Sequence, residues 1–410
     1  MTISPQYRSR VSRILIQAVK SVPALVIALA CGTAAPAQTY RIQILHTFHG
    51  TDGAIPAYGN LIQDSKGNLY GATQQGGRIG SGTIFKLDAS GKETVLHSFT
   101  TSPDGYFPNA SLVRDAAGNL YGTTYYGGAQ TYGTIFKVDK SDKETVLFSF
   151  NDTDGAHPQG GLVMDTSGNF YGTTVYGDDA NCGQQGCGVV FKLDAAGNET
   201  ALHAFIGPDG SSPFGTLVLD GSGNLYGTTQ EGGTGSCPGY YCGTVFRMEP
   251  NGNETVLHNF RDVEGDGSFP QAGLVRDAKG NLYGTTYYGG GSDVGTVFKV
   301  TSKGKETVLH NFSGAPGGAY PYANLVLDSK GNLYGTTFQG GPSNDGIVFK
   351  IAPSGKETTL HAFSGSDGAY PEAGLLLDKK GNFYGTTTEG GDFSCNRPYG
   401  CGVVFKLVPQ

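Results

Sequence analysis

The chain has 410 residues, of which 67 are glycine, 23 tyrosine and 22 phenylalanine, and it contains no tryptophan. This much glycine excludes a mainly helical protein, because each glycine costs a helix about 1 kcal/mol relative to alanine. The aromatic content argues against disorder, and the length allows one large repeat domain.

The first 37 residues have the composition of an export signal. They carry four basic residues and no acid, then an apolar run over residues 22–30, and they end in Ala35-Pro36-Ala37. The run is too short to span a bilayer, and the small residues suit cleavage before Gln38. We therefore expect a secreted or periplasmic protein. A lipid anchor on Cys31 is the alternative, although Ala28 stands where lipoproteins usually have leucine.

Charge limits the partners of the cleaved chain. Cleavage leaves 24 basic and 35 acidic residues, a net charge of −11. Nucleic-acid binding needs a cationic surface, so the charge argues against nucleic acid as a partner. No later stretch is apolar for long enough to span a membrane. We expect a monomer.

The rest of the chain repeats one unit seven times. The motif GN[LF]YG[AT]T recurs at spacings of 51, 50, 55, 57, 51 and 50 residues. In the second unit, four short segments have strand composition: 112–115, 119–124, 133–139 and 144–150. Four strands in about 50 residues predict one blade of a β-propeller. The motif begins at Gly67, Gly118, Gly168, Gly223, Gly280, Gly331 and Gly381.

The two ends of the chain predict how a ring would close. Residues 41–48 match the fourth strand of the unit, whereas residues 403–410 match the third. We therefore predict an all-β fold, a seven-bladed β-propeller of four-stranded antiparallel blades over residues 38–410. The N-terminal strand would complete the last blade and leave no unpaired inner edge, which disfavours the alternative of an open superhelix.

The repeat GNLYGTT…GG…GTVFK…KETVLHSF resembles the GloVer (Gloeo_Verruco-type) tandem repeat of exported bacterial proteins over nearly all of residues 40–410. The resemblance implies a propeller-like repeat and a secreted or surface location, and it implies no established activity. Members vary in their C-terminal anchor, and this sequence ends three residues after Leu407 without one. The strand layout is also similar to NHL-repeat and gluconolactonase-type propellers, as architecture only.

Three sets of polar residues repeat with the unit. An aspartate ends each first strand and is interpreted as the cap of the following turn, with a cation-binding ring of carboxylates as the alternative. Six histidines lie on fourth strands of different blades, so they cannot converge on one metal and are interpreted as packing or surface residues. A third-strand lysine and a fourth-strand glutamate, such as Lys86 and Glu93, would pair across the strands unless a bulge separates them. The aspartates are Asp64, Asp115, Asp165, Asp220, Asp277, Asp328 and Asp378, and the histidines are His46, His97, His203, His258, His310 and His361.

Six cysteines remain after cleavage, as three close pairs between the second and third strands of blades three, four and seven. Export favours one local disulfide in each loop, although six cysteines allow 15 connectivities. A zinc site built from the four thiolates of blades three and four is the alternative. The pairs are Cys182 with Cys187, Cys237 with Cys242, and Cys395 with Cys401.

The loops between blades share one face of a propeller with the loops between second and third strands, and we expect this loop-rich face to be the working face. Two of its positions vary between blades. The segment after the interblade proline carries Tyr58, Asn109, Gln159, Phe214, Gln271, Tyr322 and Glu372. The two residues after the second strand are Gln74-Gln75, Tyr125-Tyr126, Val175-Tyr176, Gln230-Glu231, Tyr287-Tyr288, Phe338-Gln339 and Thr388-Glu389.

Rings beside amides and carboxylates suit a sugar, because rings stack on its apolar C–H faces. Ordinary loop tyrosines are the alternative, and the missing tryptophan weakens the sugar interpretation. The expected ligand-binding residues are Tyr58, Tyr125, Tyr126, Tyr176, Tyr287, Tyr288, Tyr322 and Phe338.

Catalytic candidates are few. Glu231, Glu372 and Glu389 are the only acids at these variable positions, and two carboxylates about 5–10 Å apart can hydrolyse a glycosidic bond. The sequence contains no nucleophile-elbow, zinc-protease or P-loop motif. His49 and His157 fall outside the repeated positions and have no evident nucleophile or base partner.

One interblade loop suggests a metal. Asp262, Glu264 and Asp266 match the start of a calcium loop, but Gly273 stands where the closing glutamate is expected. A solvated acidic turn is the alternative, and residues 152–155 are a weaker match. Calcium is the only cofactor that we expect at all.

The sequence favours a non-catalytic exported module that binds an extracellular glycan or protein. A glycoside hydrolase or polysaccharide lyase is the first alternative, and a purely structural surface protein is the second. A pocket that joins Glu372 and Glu389 to Tyr58 or Tyr322 would favour the enzyme, whereas a flat face would favour the structural protein.

Overall fold

The computed structural model describes residues 39–56, 58–177, 182, 186–235, 242–261 and 265–410. The predicted export segment, residues 1–37, lies outside this part of the chain. Within the described part, seven four-stranded antiparallel sheets follow one another, one for each repeat. The same part contains no helix long and apolar enough to cross a membrane.

The strands fall where the repeat places them. The first strands span Ile62–Gln63, Val113–Arg114, Val163–Met164, Val218–Leu219, Val275–Arg276, Val326–Leu327 and Leu376–Leu377. The second strands span Leu69–Thr73, Leu120–Thr124, Phe170–Thr174, Leu225–Thr229, Leu282–Thr286, Leu333–Thr337 and Phe383–Thr387. The third strands span Thr83–Leu87, Thr134–Val138, Val189–Leu193, Thr244–Met248, Thr296–Val300, Ile347–Ile351 and Val403–Pro409. The fourth strands span Glu93–Ser98, Glu144–Ser149, Glu199–Ala204, Glu254–Asn259, Glu306–Asn311, Glu357–Ala362 and, for blade seven, Tyr40–Thr47.

The N-terminal strand closes the last blade, as predicted. Tyr40–Thr47 pairs antiparallel with Val403–Pro409, and the register runs from Tyr40 opposite Pro409 to Thr47 opposite Val403. The third strand of blade seven is therefore paired on both sides, and the seven-bladed propeller is confirmed.

A phenylalanine at the end of each fourth strand joins its blade to the next one. Its ring meets the third-strand phenylalanine of the following blade edge-on, with centroids 5.0–5.3 Å apart in all seven cases. Phe48 and Phe85 make this contact between the closing strand and blade one, and both side chains are fully buried. The same aromatic contact therefore runs around the whole ring.

The aspartates cap their turns, as interpreted from the sequence. The Asp115 carboxylate accepts hydrogen bonds from the Asn119 amide nitrogen, the Asn119 side chain and the Tyr121 hydroxyl. Although burial opposes ionisation, these hydrogen bonds lower the pKa of Asp115. The turns of the other six blades repeat the bonds from asparagine and tyrosine, so the carboxylates are structural.

The repeated lysine and glutamate lie on opposite faces of the sheet, which is one of the two arrangements that the sequence left open. Lys86 lies opposite Thr94, and Glu93 lies opposite Leu87, one position away. Since side chains alternate between the two faces of a sheet, Lys86 and Glu93 point to opposite faces. In five blades the lysine ammonium instead lies 5.3–6.0 Å from the centre of the second-strand tyrosine ring.

Two of the predicted disulfides are present, Cys182–Cys187 and Cys395–Cys401. Cys242 is also disulfide-bonded, and its expected partner, Cys237, lies outside the described residues. The alternative zinc site in blades three and four is therefore wrong, because three of its four cysteines, Cys182, Cys187 and Cys242, are disulfide-bonded. Such bonds indicate an oxidising, extracellular environment.

Candidate functional site

The residue before each interblade proline has an unusual backbone conformation. All seven have φ between 54° and 59°, in the left-handed region that bulky residues avoid. Hydrogen bonds on both sides hold them there: in one case, the Phe107 nitrogen donates to the Ser81 carbonyl, and the Phe107 carbonyl accepts from the Tyr125 nitrogen. Each of these residues thus links two neighbouring blades at the loop-rich face. They are Ile55, Phe107, His157, Ser212, Phe269, Tyr320 and Tyr370.

Three of these residues stack on an aromatic ring of the preceding blade. His157 stacks on Tyr125 with centroids 4.8 Å apart, Tyr320 on Tyr287 at 5.0 Å, and Tyr370 on Phe338 at 4.8 Å. The interplanar angles are 22°, 26° and 29°, which are close to parallel.

The first of these stacks belongs to a larger aromatic patch on blades two and three. The His157 ring also contacts the edges of Tyr126 and Tyr176, with centroids 4.8 and 5.9 Å away. Tyr126 in turn stacks on Tyr106 at 5.4 Å. Tyr125, Tyr126 and Tyr176, which the sequence proposed as separate ligand-binding residues, therefore form one patch centred on His157.

The second stack carries an exposed ring. Tyr288 contacts Tyr287 and Tyr320, with centroids 4.7 and 5.9 Å away, and it is 39% exposed. The structure thus places four of the eight proposed aromatic residues in stacks on the loop-rich face, and Tyr176 and Tyr288 contact these stacks edge-on. The other two, Tyr58 and Tyr322, lie at the axis of the propeller.

A narrow cavity of about 30 Å³ lies on this axis, and every blade contributes to its lining. Below the mouth of the cavity, the residues that precede the first strands form hydrogen bonds from one blade to the next. The Asn60 nitrogen donates to Ser111 Oγ, and the Gly374 nitrogen donates to Asn60 Oδ1. The side chains at the mouth are those that vary after the interblade proline. They are Tyr58, Gln159, Phe214, Gln271, Tyr322 and Glu372.

Blade one has one more residue than the other blades between its interblade proline and its first strand. The interblade proline and the first-strand leucine are separated by four residues in blade one, from Pro56 to Leu61, and by three in the other blades. The added residue is accommodated by a φ of 59° at Tyr58. The Tyr58 and Tyr322 rings then meet with centroids 5.2 Å apart.

Glu372 is the one carboxylate among the described residues that line the cavity. The Thr388 hydroxyl donates to its Oε2 at 3.1 Å. Burial raises the pKa of Glu372 to about 7, and the charge of Glu389 contributes further. Burial and the Glu372 charge also raise the pKa of Tyr322 well above its usual value.

The three candidate acids are therefore not equivalent. Glu372 and Glu389 lie close enough to interact electrostatically, and Glu389 is more exposed. Glu231 lies beside Tyr176, whose pKa is raised by burial and by the Glu231 charge. Only Glu372 of the three lines the cavity, within the part of the chain that the structure describes.

The repeated histidines are neither plain packing nor plain surface residues. Each is about one-fifth exposed or less, and most approach the aspartate of the interblade DG sequence. His97 Nε2 lies 3.3 Å from Asp104 Oδ2, and Glu144 from the next blade completes the group. Three such groups keep their ligand atoms within 4.8 Å of one another and could each hold a metal. They are His97 with Asp104 and Glu144, His203 with Asp209 and Glu254, and His258 with Asp266 and Glu306.

Asp266 therefore belongs to this repeated group, whereas the sequence placed it in a calcium loop. Asp262 and Glu264, the other two proposed calcium ligands, lie outside the described residues. Asp266 accepts hydrogen bonds from the Arg261 and Gly267 nitrogens and lies 3.8 Å from His258.

Two sets of residues at these sites were missed by the sequence analysis. The residue before each interblade proline had a sequence signal, since it carries an aromatic or histidine ring at a fixed place in five of the seven blades. The DG aspartates recur at six of seven interblade loops, but their histidine and glutamate partners come from two different blades. Only the folded ring brings those groups together.

The fold and the axial site define a seven-bladed β-propeller with a closed ring and a variable loop-rich face. The model of the Gloeobacter/Verrucomicrobia repeat matches residues 33–184 and 176–405. The chain belongs to this repeat family, as its resemblance to GloVer repeats predicted. No curated protein matches the sequence.

Solved structures share the architecture. Virginiamycin B lyase from Staphylococcus aureus is 13% identical, with a TM-score of 0.56 over 90% of this chain and 99% of that one. The extracellular domain of a protein proposed as a one-component system in B. thetaiotaomicron is 12% identical, with a TM-score of 0.53 over 88% of this chain and 40% of that one. A gluconolactonase from Xanthomonas campestris is 13% identical, with a TM-score of 0.45 over 90% of each chain. At these identities the likeness concerns the fold alone.

Proposed function

We propose that this protein is an exported, non-catalytic binding module whose loop-rich face takes an extracellular glycan or protein. The observation that carries the proposal is the set of three aromatic stacks between neighbouring blades. Each stack fixes a ring next to an interblade loop, so little side-chain entropy remains to be lost when a ligand packs on it.

The variation between blades supports the same conclusion. The seven blades share one backbone, yet no two blades have the same combination of side chains at the position after the interblade proline and at the two positions after the second strand. A repeat scaffold that varies on one face is typical of a binding surface. Export agrees with the disulfides and with the composition of residues 1–37.

An array of extracellular polysaccharides and glycans, probed with the chain from residue 38, tests this proposal. Once a ligand is found, Tyr125→Ala and Tyr287→Ala should each weaken binding about fivefold or more, since each removes a stacked ring worth about 1 kcal/mol. Tyr399→Ala is the matched control, because Tyr399 is 55% exposed on a loop of blade seven and belongs to none of the three stacks. If the wild type and the three variants bind the ligand equally well, the stacks are not part of the binding site.

One observation favours the carbohydrate-active enzyme as a second candidate. Glu372 shares the axial cavity with Tyr58 and Tyr322, and Glu389 is near enough to act on its charge. A raised pKa of about 7 suits a general acid. The cavity volume argues against it, because about 30 Å³ holds one or two water molecules and no sugar ring.

A screen for polysaccharide breakdown decides between the two candidates. Release of reducing or unsaturated ends by the wild-type chain, and its loss in Glu372→Gln, would establish the enzyme. Glycan binding that persists in Glu372→Gln without any breakdown would support the binding module.

A further inference from the structure

The lining of the axial cavity offers acceptors and rings but no positive charge. Glu372 supplies a carboxylate, Gln271 supplies an amide oxygen, and Tyr58, Tyr322 and Phe214 supply aromatic rings. Among the described residues that line the cavity there is no lysine, arginine or histidine. A ligand that fills this space meets a carboxylate that has no cationic side chain beside it in the described lining.

Two groups in the lining lack the partner that burial normally demands. Glu372 is partly buried and accepts one hydrogen bond among the described residues, from Thr388. Gln271 Oε1 is buried, and it has no hydrogen-bond partner in the part of the chain that the structure describes. Burying a carboxylate without a counter-charge, or an amide oxygen without a donor, is costly. A bound cation would satisfy both groups.

We propose that the axial cavity binds a small organic ammonium ion, with Glu372 as its counter-charge and the surrounding rings as its walls. One carboxylate matches one positive charge. The N–H donors of a primary ammonium suit the Glu372 oxygens and Gln271 Oε1. The faces of Tyr58, Tyr322 and Phe214 attract a weakly hydrated cation through their π systems.

Size and ligand count favour an ammonium ion over a metal. Calcium takes six to eight oxygen ligands at about 2.3–2.6 Å, and the lining offers a single carboxylate among rings and amides. A volume of about 30 Å³ is larger than the roughly 10–15 Å³ that one water needs, and it suits the head of a primary amine. The cavity adjoins the rings proposed to bind a glycan or protein, because Tyr322 meets Tyr287 edge-on with centroids 5.6 Å apart.

Isothermal titration of the full chain with methylammonium chloride, at pH 8 and constant ionic strength, tests the proposal. Saturable binding is expected in the wild type, and Glu372→Gln should weaken it at least tenfold. Glu249→Gln is the control, because it removes one negative charge from an exposed turn and should leave the affinity unchanged. Since protonation removes the counter-charge, and the pKa of Glu372 is raised to about 7, the affinity should also fall several-fold at pH 6.

Two further arms keep the proposal falsifiable if Glu372→Gln fails to fold. Phe214→Leu keeps an apolar side chain at the mouth but removes its ring, so it should weaken methylammonium binding about threefold or more. Calcium chloride and sodium chloride replace the amine in parallel titrations and should give no saturable heat. Absence of methylammonium binding, unchanged affinity in Glu372→Gln or Phe214→Leu, or tight calcium binding would each overturn the proposal.

Discussion

In the second strand of every blade, a glycine lies opposite the third-strand phenylalanine. A Cβ atom built on this glycine would lie 2.5–2.7 Å from the Cζ atom of that ring, closer than real Cβ contacts allow. The phenylalanine in turn meets the next blade, so the glycine holds the ring in the position from which it makes the interblade contact. This is why the motif carries glycine after tyrosine in all seven copies.

Gly122→Ala should therefore destabilise the propeller. Its Cβ would lie 2.7 Å from Phe136 Cζ and 3.0 Å from Leu112, inside a core that has no room for another methyl group. Overpacking of this kind costs about 1–3 kcal/mol, which should appear as a lower midpoint in denaturant unfolding. Gly221→Ala is the control, because a Cβ there would meet nothing within 4 Å and its φ is not in the left-handed region. A Gly122→Ala variant as stable as this control would show that the ring can shift freely.

At the residue scale, the sequence predicted contacts between residues that are close together along the chain. The Asp115 cap was predictable because its partners lie four and six residues away in the same hairpin. The group of His97, Asp104 and Glu144 was not, since it depends on the packing of two blades. The sequence left open whether Lys86 pairs with Glu93, because the register of the hairpin decides which side chains share a face.

At the scale of the strand, the N-terminal strand that closes the ring has two structural roles. Tyr40–Thr47 covers the edge of Val403–Pro409, and Phe48, directly after it, fills the contact with Phe85 of blade one. An uncovered third strand would present a row of unpaired backbone groups, which invites association with other chains. The position of this strand was predictable from sequence. The seventh repeat stops after its third strand, and a segment that matches a fourth strand precedes the first repeat.

Deleting residues 39–48 should therefore destabilise the ring more than any single core substitution. A chain that starts at residue 49 loses the whole ladder to Val403–Pro409 and the Phe48 ring, and we expect a melting temperature at least about 10 °C lower, or aggregation through the bare edge. The chain that starts at residue 39 is the control. A synthetic peptide of residues 39–48, added in excess, should restore much of the loss. An unchanged melting temperature for the shortened chain would mean that closure contributes little to stability.

At the scale of the whole molecule, the sevenfold repeat explains both the success and the limit of sequence-based prediction. Period, strand composition and chain ends define the number of blades and the order of strands, because each blade is built from local hairpins. The site at the axis could not be predicted in this way, because its residues are far apart along the chain. Tyr58, Tyr322 and Glu372 come from three repeats, and only ring closure brings them to one cavity. The sequence marked these positions as variable, and it could not show that two of the three side chains would meet there as a ring pair.

The fourth-strand glutamates give the ring a shared dependence on pH. Glu144, Glu199, Glu254 and Glu306 each bury one carboxylate oxygen that finds no hydrogen-bond partner among the described residues. Burial raises the pKa of each to about 7, from a usual value of 4.5. The folded chain therefore binds more protons than the unfolded chain between about pH 4.5 and pH 7, and the free energy of unfolding falls as pH rises through this window.

The interblade aspartates give the free energy of unfolding the opposite dependence on pH, and they do so at lower pH. Burial opposes ionisation of Asp104 and Asp209, but hydrogen bonds from His97 and His203 hold the pKa of each aspartate below its usual value of 3.8. A carboxylate with a lowered pKa stabilises the fold above its unfolded pKa, and this contribution is lost as pH falls through the lowered value. We therefore expect the free energy of unfolding to be largest near pH 4 to 5, between the pH ranges in which the two sets of carboxylates titrate.

Melting temperatures measured from pH 4 to pH 9 at constant salt should therefore decline between pH 5 and pH 8. The glutamates are partly exposed, so solvent screens each contribution, and we expect a total decline of a few degrees. Replacing Glu144, Glu199, Glu254 and Glu306 with glutamine removes the titration while keeping the shape, so this variant should have a flatter profile above pH 5. The single variant Glu249→Gln, at an exposed turn, should keep the wild-type slope. A melting temperature that stays level or rises from pH 5 to pH 8 in the wild type would contradict this account, because the buried carboxylates would then be ionised at no cost to the fold.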